Sequence, residues 1–151
     1  MLNEKFFEFV DNDNAFAELN PDIKRIYSEA KKDLFLNETN IQQKALTQAS
    51  LRVKWVMLLF SQKNKINKLK EQKNSVISSL KDKLATSPEY AHKAAIQIER
   101  MVQDSPKIKK VNELIFEEEQ ILSFIQQIVN IFNDFGFAIK NSIDTIKINH
   151  G

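Results

Sequence analysis

From Thr39 to Leu84 the chain contains neither glycine nor proline. A run of that length is hard to cut into strands, because every hairpin needs turn residues that can reverse the backbone. It therefore predicts one continuous helix, about 65–70 Å long at about 1.5 Å per residue. Composition agrees, since the 151 residues include only two glycines and three prolines. The helix is expected to start at Thr39, where Thr39-x-x-Gln42 has the form of a capping box. A helix this long is not stable alone in water, so pairing within the chain or between chains is implied.

The remaining punctuation marks further helices. Asn20 followed by Pro21 reads as a cap and a first helical residue, with Ile23, Ile26, Ala30 and Leu34 on the buried face. Ser87-Pro88 is expected to open a third helix, which Ser105-Pro106 restarts or kinks. A last long helix should run to Phe135 and stop at Gly136, the only interior glycine. Beyond it, Ile139, Ile143 and Ile146 again have helical spacing. The fold expected is all-α, with long helices in an elongated hairpin or bundle.

Charge is unevenly spread along this framework. Residues 1–38 carry nine acids and five bases, residues 39–83 two acids and ten bases, and residues 113–151 six acids and two bases. Such an acid–base–acid pattern bears on partners more than on fold. On a helical wheel Ile66, Leu69, Val76, Ile77, Leu80 and Leu84 share one face. Arg52, Lys63, Lys70 and Lys81 line one edge of that seam, and Lys54, Lys65 and Lys83 line the other. The segment from Trp55 to Phe60 is apolar around nearly its whole circumference, which predicts burial in the core or at an interface.

Two readings of the basic arm follow. It either meets a polyanion or pairs with acidic segments of this or another protein, with Glu4, Glu8 and Glu117 to Glu119 as the supply of acid. Lysine far outnumbers arginine, which suits diffuse charge neutralisation better than bidentate base reading. No aromatic residue lies between Phe60 and Tyr90, so the arm lacks platforms on which bases stack. Nucleic-acid binding here is therefore expected to be to the phosphate backbone and sensitive to salt. A membrane-surface helix fits less well, because those faces are bulkier and carry aromatics.

The inventory argues against an enzyme. There is no cysteine, and glycines at 136 and 151 alone build no phosphate loop. His92 and His150 are expected at the surface, and Glu117-Glu118-Glu119, consecutive on a helix, is expected to form a solvated acidic face. No metal or cofactor is expected. The N-terminus lacks the basic start and apolar run of a signal peptide, and the run Val56 to Phe60 is too short to cross a bilayer, so a soluble protein is expected.

The stretch KKDLFLNETNIQQKALTQASLRVKWVMLLFSQKNKINKLKEQKNSV, residues 31 to 76, resembles the core of the UvsY family, the recombination mediators of T-even-like phages. The resemblance rests on the Lys31-Lys32-Asp33-x-Phe35 start, Thr39, Lys54-Trp55 and Gln72-Lys73. Gly136-Phe137-Ala138-Ile139-Lys140, with Asp144 following, resembles the family's end. The resemblance implies single-stranded DNA binding and a ring-like homo-oligomer, a hexamer or heptamer. It also implies help to a phage RecA-like recombinase in displacing the phage single-stranded-DNA-binding protein, in the cytoplasm of an infected bacterial host.

The family's Leu-Lys-x-Arg-Leu motif has its nearest counterpart in Leu80-Lys81-Asp82-Lys83-Leu84, with Lys for Arg and an acid between the bases. Of the tyrosines that follow the motif, only Tyr90 has a candidate position. DNA-binding residues are thus expected among Arg52, Lys54, Lys63, Lys65, Lys68, Lys70, Lys73, Lys81 and Lys83. Phe137, Ile139, Ile143 and Ile146 are expected to serve oligomerisation, on the premise that the chain offers the isoleucines little burial nearby. Residues 1–20 look like an extension without a family counterpart, before a single helical domain over 21–151. The extension's Phe6, Phe7, Phe9 and Phe16 would cover a neighbouring subunit or belong to a flexible acidic tail.

Overall fold

The computed structural model describes residues 20–151, and these are all-α. Glu4, Glu8 and the phenylalanines at 6, 7, 9 and 16, for which the sequence suggests an acid supply and a subunit cover or acidic tail, lie outside the described residues. Four α-helices follow in order: α1 (Pro21–Leu34), α2 (Ile41–Thr86), α3 (Ala95–Gln103) and α4 (Pro106–His150).

Helix α1 begins as its sequence dictates. The Asn20 side chain accepts the N–H of Asp22 at 2.8 Å, and Pro21 occupies the first turn, where its missing N–H costs nothing. Asp22 in the first turn and Lys31 and Lys32 in the last suit the helix dipole. Ile23, Ile26, Tyr27, Ala30 and Leu34 are buried along one face, and Asp33 is buried with them.

Helix α2 starts two residues later than the capping-box reading placed it. Asn37 is the cause. Its side-chain oxygen accepts the N–H of Thr39 at 3.0 Å, the N–H of Asn40 at 2.9 Å and the Thr39 hydroxyl at 2.7 Å. The Asn40 side chain faces back toward Asn37 and Phe35, while its carbonyl accepts the N–H of Lys44 at 2.9 Å, the first helical bond. The Thr39 hydroxyl thus turns its proton to Asn37, and Asn37, not Thr39, is the side chain that accepts the N–H groups at this helix start.

Two other boundaries differ from expectation. Ser87-Pro88 opens a short 3-10 turn over Pro88–Tyr90, not a full helix. The N–H of Tyr90 returns to Ser87 and that of Lys93 to Tyr90, so successive tight turns use the groups an α-helix would need. Helix α3 starts only after Ala94, whose backbone is extended. Ser105-Pro106 restarts the helix, with the N–H of Ile108 donated to the Ser105 hydroxyl at 3.3 Å. Helix α4 then runs through Gly136 to His150 instead of stopping there. A Cβ at Gly136 would lie 3.0 Å from the Gln48 side-chain oxygen, so this glycine leaves room for that side chain of α2 inside a continuing helix.

The described residues form two compact units. One combines the described residues up to Phe60 with Ile121–Gly151, and the other is Ser61–Gln120. In the first, Trp55, Ile128 and Phe135 are fully buried. Phe132 stacks on Trp55 with ring centroids 6.4 Å apart and meets Phe135 edge-on at 5.4 Å. Only half of the apolar Trp55–Phe60 segment is inside. Trp55 and Leu59 are buried, whereas Met57 and Phe60 are 63% and 55% exposed, because a single helix passing a single core can turn only one face to it. In the second unit Ile66, Val102, Ile108 and Ile115 are buried. Leu69, Val76, Ile77, Leu80 and Leu84 are half-buried beside them, which is the seam that the helical wheel outlines.

Candidate nucleic-acid interface

Seven of the nine candidate cations lie on α2 within the second unit: Lys63, Lys65, Lys68, Lys70, Lys73, Lys81 and Lys83. Because the seam faces inward, its two edges carry lysines along the margin of the helix. Several of these lysines already have partners. Lys65 lies 2.7 Å from Glu118, Lys70 lies 3.1 Å from Glu119, and Lys81 lies 2.5 Å from Glu99. Lys68, Lys73 and Lys83 form no ion pair among the described residues. Lys68 and Lys83 are exposed and Lys73 is half-buried at the seam.

Glu118 corrects the reading of Glu117 to Glu119 as a solvated face. Its side chain is only 14% exposed. It accepts from the Gln62 amide as well as from Lys65, while its backbone carbonyl accepts the same amide at 2.9 Å. Burial pushes its pKa up, but the hydrogen bonds from Lys65 and Gln62 outweigh that and hold it below the usual carboxylate range. Glu99 is also held low, chiefly by its hydrogen bond from Lys81. Both carboxylates are therefore ionised near neutral pH.

The other two candidates sit in the first unit and have different surroundings. Arg52 donates to the Asn133 side-chain oxygen at 3.1 Å. Lys54 reaches the carboxylates of Glu29 and Asp33, and the Asp33 carboxylate also accepts the Trp55 indole N–H at 3.0 Å. Burial lowers the Lys54 pKa, yet the bonds to Asp33 and Glu29 more than compensate and raise it. Lys44 donates to the backbone carbonyls of Asp33 and Lys32, and burial pushes its pKa down. Lys54 is thus tied, half-buried, to an anchor whose centre at Asp33 and Trp55 is buried, more than to an open cationic edge. Residue patterning missed Asp33 as the anchor's centre, although its place after Ile23, Ile26 and Ala30 on the apolar face was the available signal.

Among the described residues, no cluster of histidine and carboxylate side chains is arranged to hold a metal ion. Nor, among those residues, is any helix long and apolar enough to cross a membrane.

The profile of the family described as "Recombination, repair and ssDNA binding protein UvsY" matches residues 29–151. The chain belongs to the UvsY family. Its fold is similar to crystal structures of the bacteriophage T4 recombination mediator protein UvsY. One crystal form, lattice type IV, has a TM-score of 0.70 at 24% identity, over 84% of this chain and 98% of the phage T4 chain. Another, lattice type II, also has a TM-score of 0.70, at 20% identity over 89% of this chain and all of the other. At that identity the likeness is one of fold. Comparison with curated protein sequences gave no match. All nine candidate cations and the whole of α4 lie within the UvsY match.

Within this UvsY fold, the four residues assigned to self-association separate. Ile139 is buried in the first unit's core, and Ile143 and Ile146 pack against that core. The premise that the chain offers these isoleucines little burial is therefore corrected. Phe137, 72% exposed, remains outward.

Proposed function

We propose that this UvsY-family chain is a recombination mediator that binds single-stranded DNA through its backbone. In that role it promotes loading of a phage RecA-like recombinase in place of the phage single-stranded-DNA-binding protein, in the cytoplasm of the infected host. The observation that carries the reading is the concentration of lysine on α2 beyond Ser61, with Lys68, Lys73 and Lys83 unpaired among the described residues. That segment has no aromatic side chain, which favours phosphate contact over base stacking.

Assembly into a hexameric or heptameric ring would multiply weak sites. Strand held at one subunit is then at high effective concentration for the next. Of the four tail residues expected to serve oligomerisation, exposed Phe137 is the one available for such contacts.

The test is the salt dependence of binding to a labelled oligothymidylate. The logarithm of affinity should fall by roughly 0.7 per phosphate contacted for each tenfold rise in salt. Affinity unchanged between low and high salt would overturn the reading.

A second reading is a coiled-coil adaptor whose basic arm pairs with acidic protein segments. The pairs of Lys65, Lys70 and Lys81 with glutamates favour it. Light scattering with and without oligonucleotide separates the two, since the adaptor gains no mass from DNA.

A further inference from the structure

On the reading that the arm of α2 holds single-stranded DNA, the pairing pattern has a consequence for affinity. We infer that Glu99, Glu118 and Glu119 are internal counter-ions that compete with phosphate for Lys81, Lys65 and Lys70, and so set how tightly and how salt-dependently the chain holds a strand.

The pairs cover both edges of the seam. Lys70 and Lys81 belong to one edge and Lys65 to the other, and their carboxylates come from two different helices, α3 and α4. A phosphate reaching one of these lysines must displace a carboxylate that is already charged. The displaced carboxylate stays attached to the chain, within about one Debye length of the strand, roughly 8–10 Å. There it repels phosphate and draws in a cation from solution.

That exchange changes the ion count. A lysine that neutralises a phosphate normally releases a condensed cation, which gives the slope of about 0.7 per contact for single strands. At a paired lysine the freed carboxylate takes up a cation and cancels most of that release. The slope for the natural chain is therefore set by the unpaired cations, Lys68, Lys73 and Lys83 foremost.

Neighbouring acids supply the control. Glu113 and Glu117 are exposed on the same helix and form no ion pair among the described residues. The double variant Glu118→Gln with Glu119→Gln and the double variant Glu113→Gln with Glu117→Gln change net charge equally. Only the first should free lysines.

The experiment measures binding of a fluorescent oligothymidylate across roughly 50 to 200 mM salt, the range over which phosphate contacts are resolved. Freeing Lys65 and Lys70 should tighten low-salt binding about two- to fivefold per pair. The log–log slope should steepen by about 0.7 per freed lysine, while the control pair leaves it near the parental value. Adding Glu99→Gln should extend the trend. Because Glu118 is largely buried, the exposed pair Glu99→Gln with Glu119→Gln carries the test if the first variant loses helix by circular dichroism. Parental binding with equal slopes for variants and control overturns the inference alone. No binding by the parent at low salt overturns the DNA reading and the inference together.

Discussion

The Asp33 carboxylate accepts the Trp55 indole N–H at 3.0 Å, and the same oxygen lies 2.7 Å from the Lys54 ammonium. Asp33 occupies the apolar face of α1 and is 8% exposed, while Trp55 is fully buried. A carboxylate placed there is tolerated only with donors around it, because desolvating an unpaired charge costs several kcal/mol. The two partners come from consecutive positions on α2, so one charged residue fixes both the rotation and the register of α1 on α2.

Trp55→Phe tests that relationship. Phenylalanine keeps an aromatic ring beside Phe132 but removes the donor and some volume. Loss of a hydrogen bond to a buried charge, with a small cavity, should cost about 2–4 kcal/mol. The midpoint of urea denaturation should fall accordingly. An unchanged midpoint would mean that Lys54 alone satisfies Asp33.

Stability against pH should reveal the glutamate pairs. Glu118 has a folded-state pKa below its unfolded value, so its contribution is present above the ordinary carboxylate range. It is lost as pH falls through the lowered folded value. Glu99 acts in the same direction but is exposed, so solvent weakens its effect. The parent should therefore lose stability in acid, and Glu118→Gln should show a shallower acid limb by urea titration at stepped pH. At high pH, Lys54 and Lys44 oppose each other. The raised Lys54 contributes below the ordinary lysine pKa and loses that contribution above it, whereas the lowered Lys44 gains stability as it deprotonates. An acid limb identical in parent and variant would remove Glu118 from the account.

Local chemistry was legible in the residues. Asn20-Pro21 states a helix start on its own, and the periodicities of Ile23 to Leu34 and Ile66 to Leu84 name their buried faces without knowledge of a partner. What stayed hidden is of two kinds. One is local competition between adjacent cap candidates: Asn37, two and three residues from the groups it binds, takes the N–H groups of Thr39 and Asn40 and moves the start of α2. The other depends on residues far apart in sequence. At the candidate interface the lysines could be counted, but their pairing could not. Glu118 is 53 residues from Lys65, beyond the reach of any spacing rule. Asp33 is the intermediate case: its position on an apolar face was readable, but its partners at Lys54 and Trp55 were not.

Gly136 offers the sharpest separation between the chain read locally and the chain folded. At a helix end in a left-handed conformation, alanine in its place would cost about 1 kcal/mol. Inside α4 the sign reverses, because an interior glycine costs about 1 kcal/mol relative to alanine. The opposing term is contact with Gln48, whose side-chain oxygen would lie 3.0 Å from the new Cβ and its nitrogen 3.7 Å away. Those atoms are the far end of a flexible side chain, so a shift of a few tenths of an ångström relieves the contact. Gly136→Ala should therefore raise stability by about 0.5 kcal/mol, and by about 1 kcal/mol when combined with Gln48→Ala, measured against Gln48→Ala alone. In a chain of this size that corresponds to an increase of about 1–4 °C in the thermal midpoint. Gly136→Leu should lower the midpoint, since its longer side chain meets α2 itself. If Gly136→Ala lowers it as well, even with Gln48 shortened, close packing against α2 and not the Gln48 side chain is what requires glycine here.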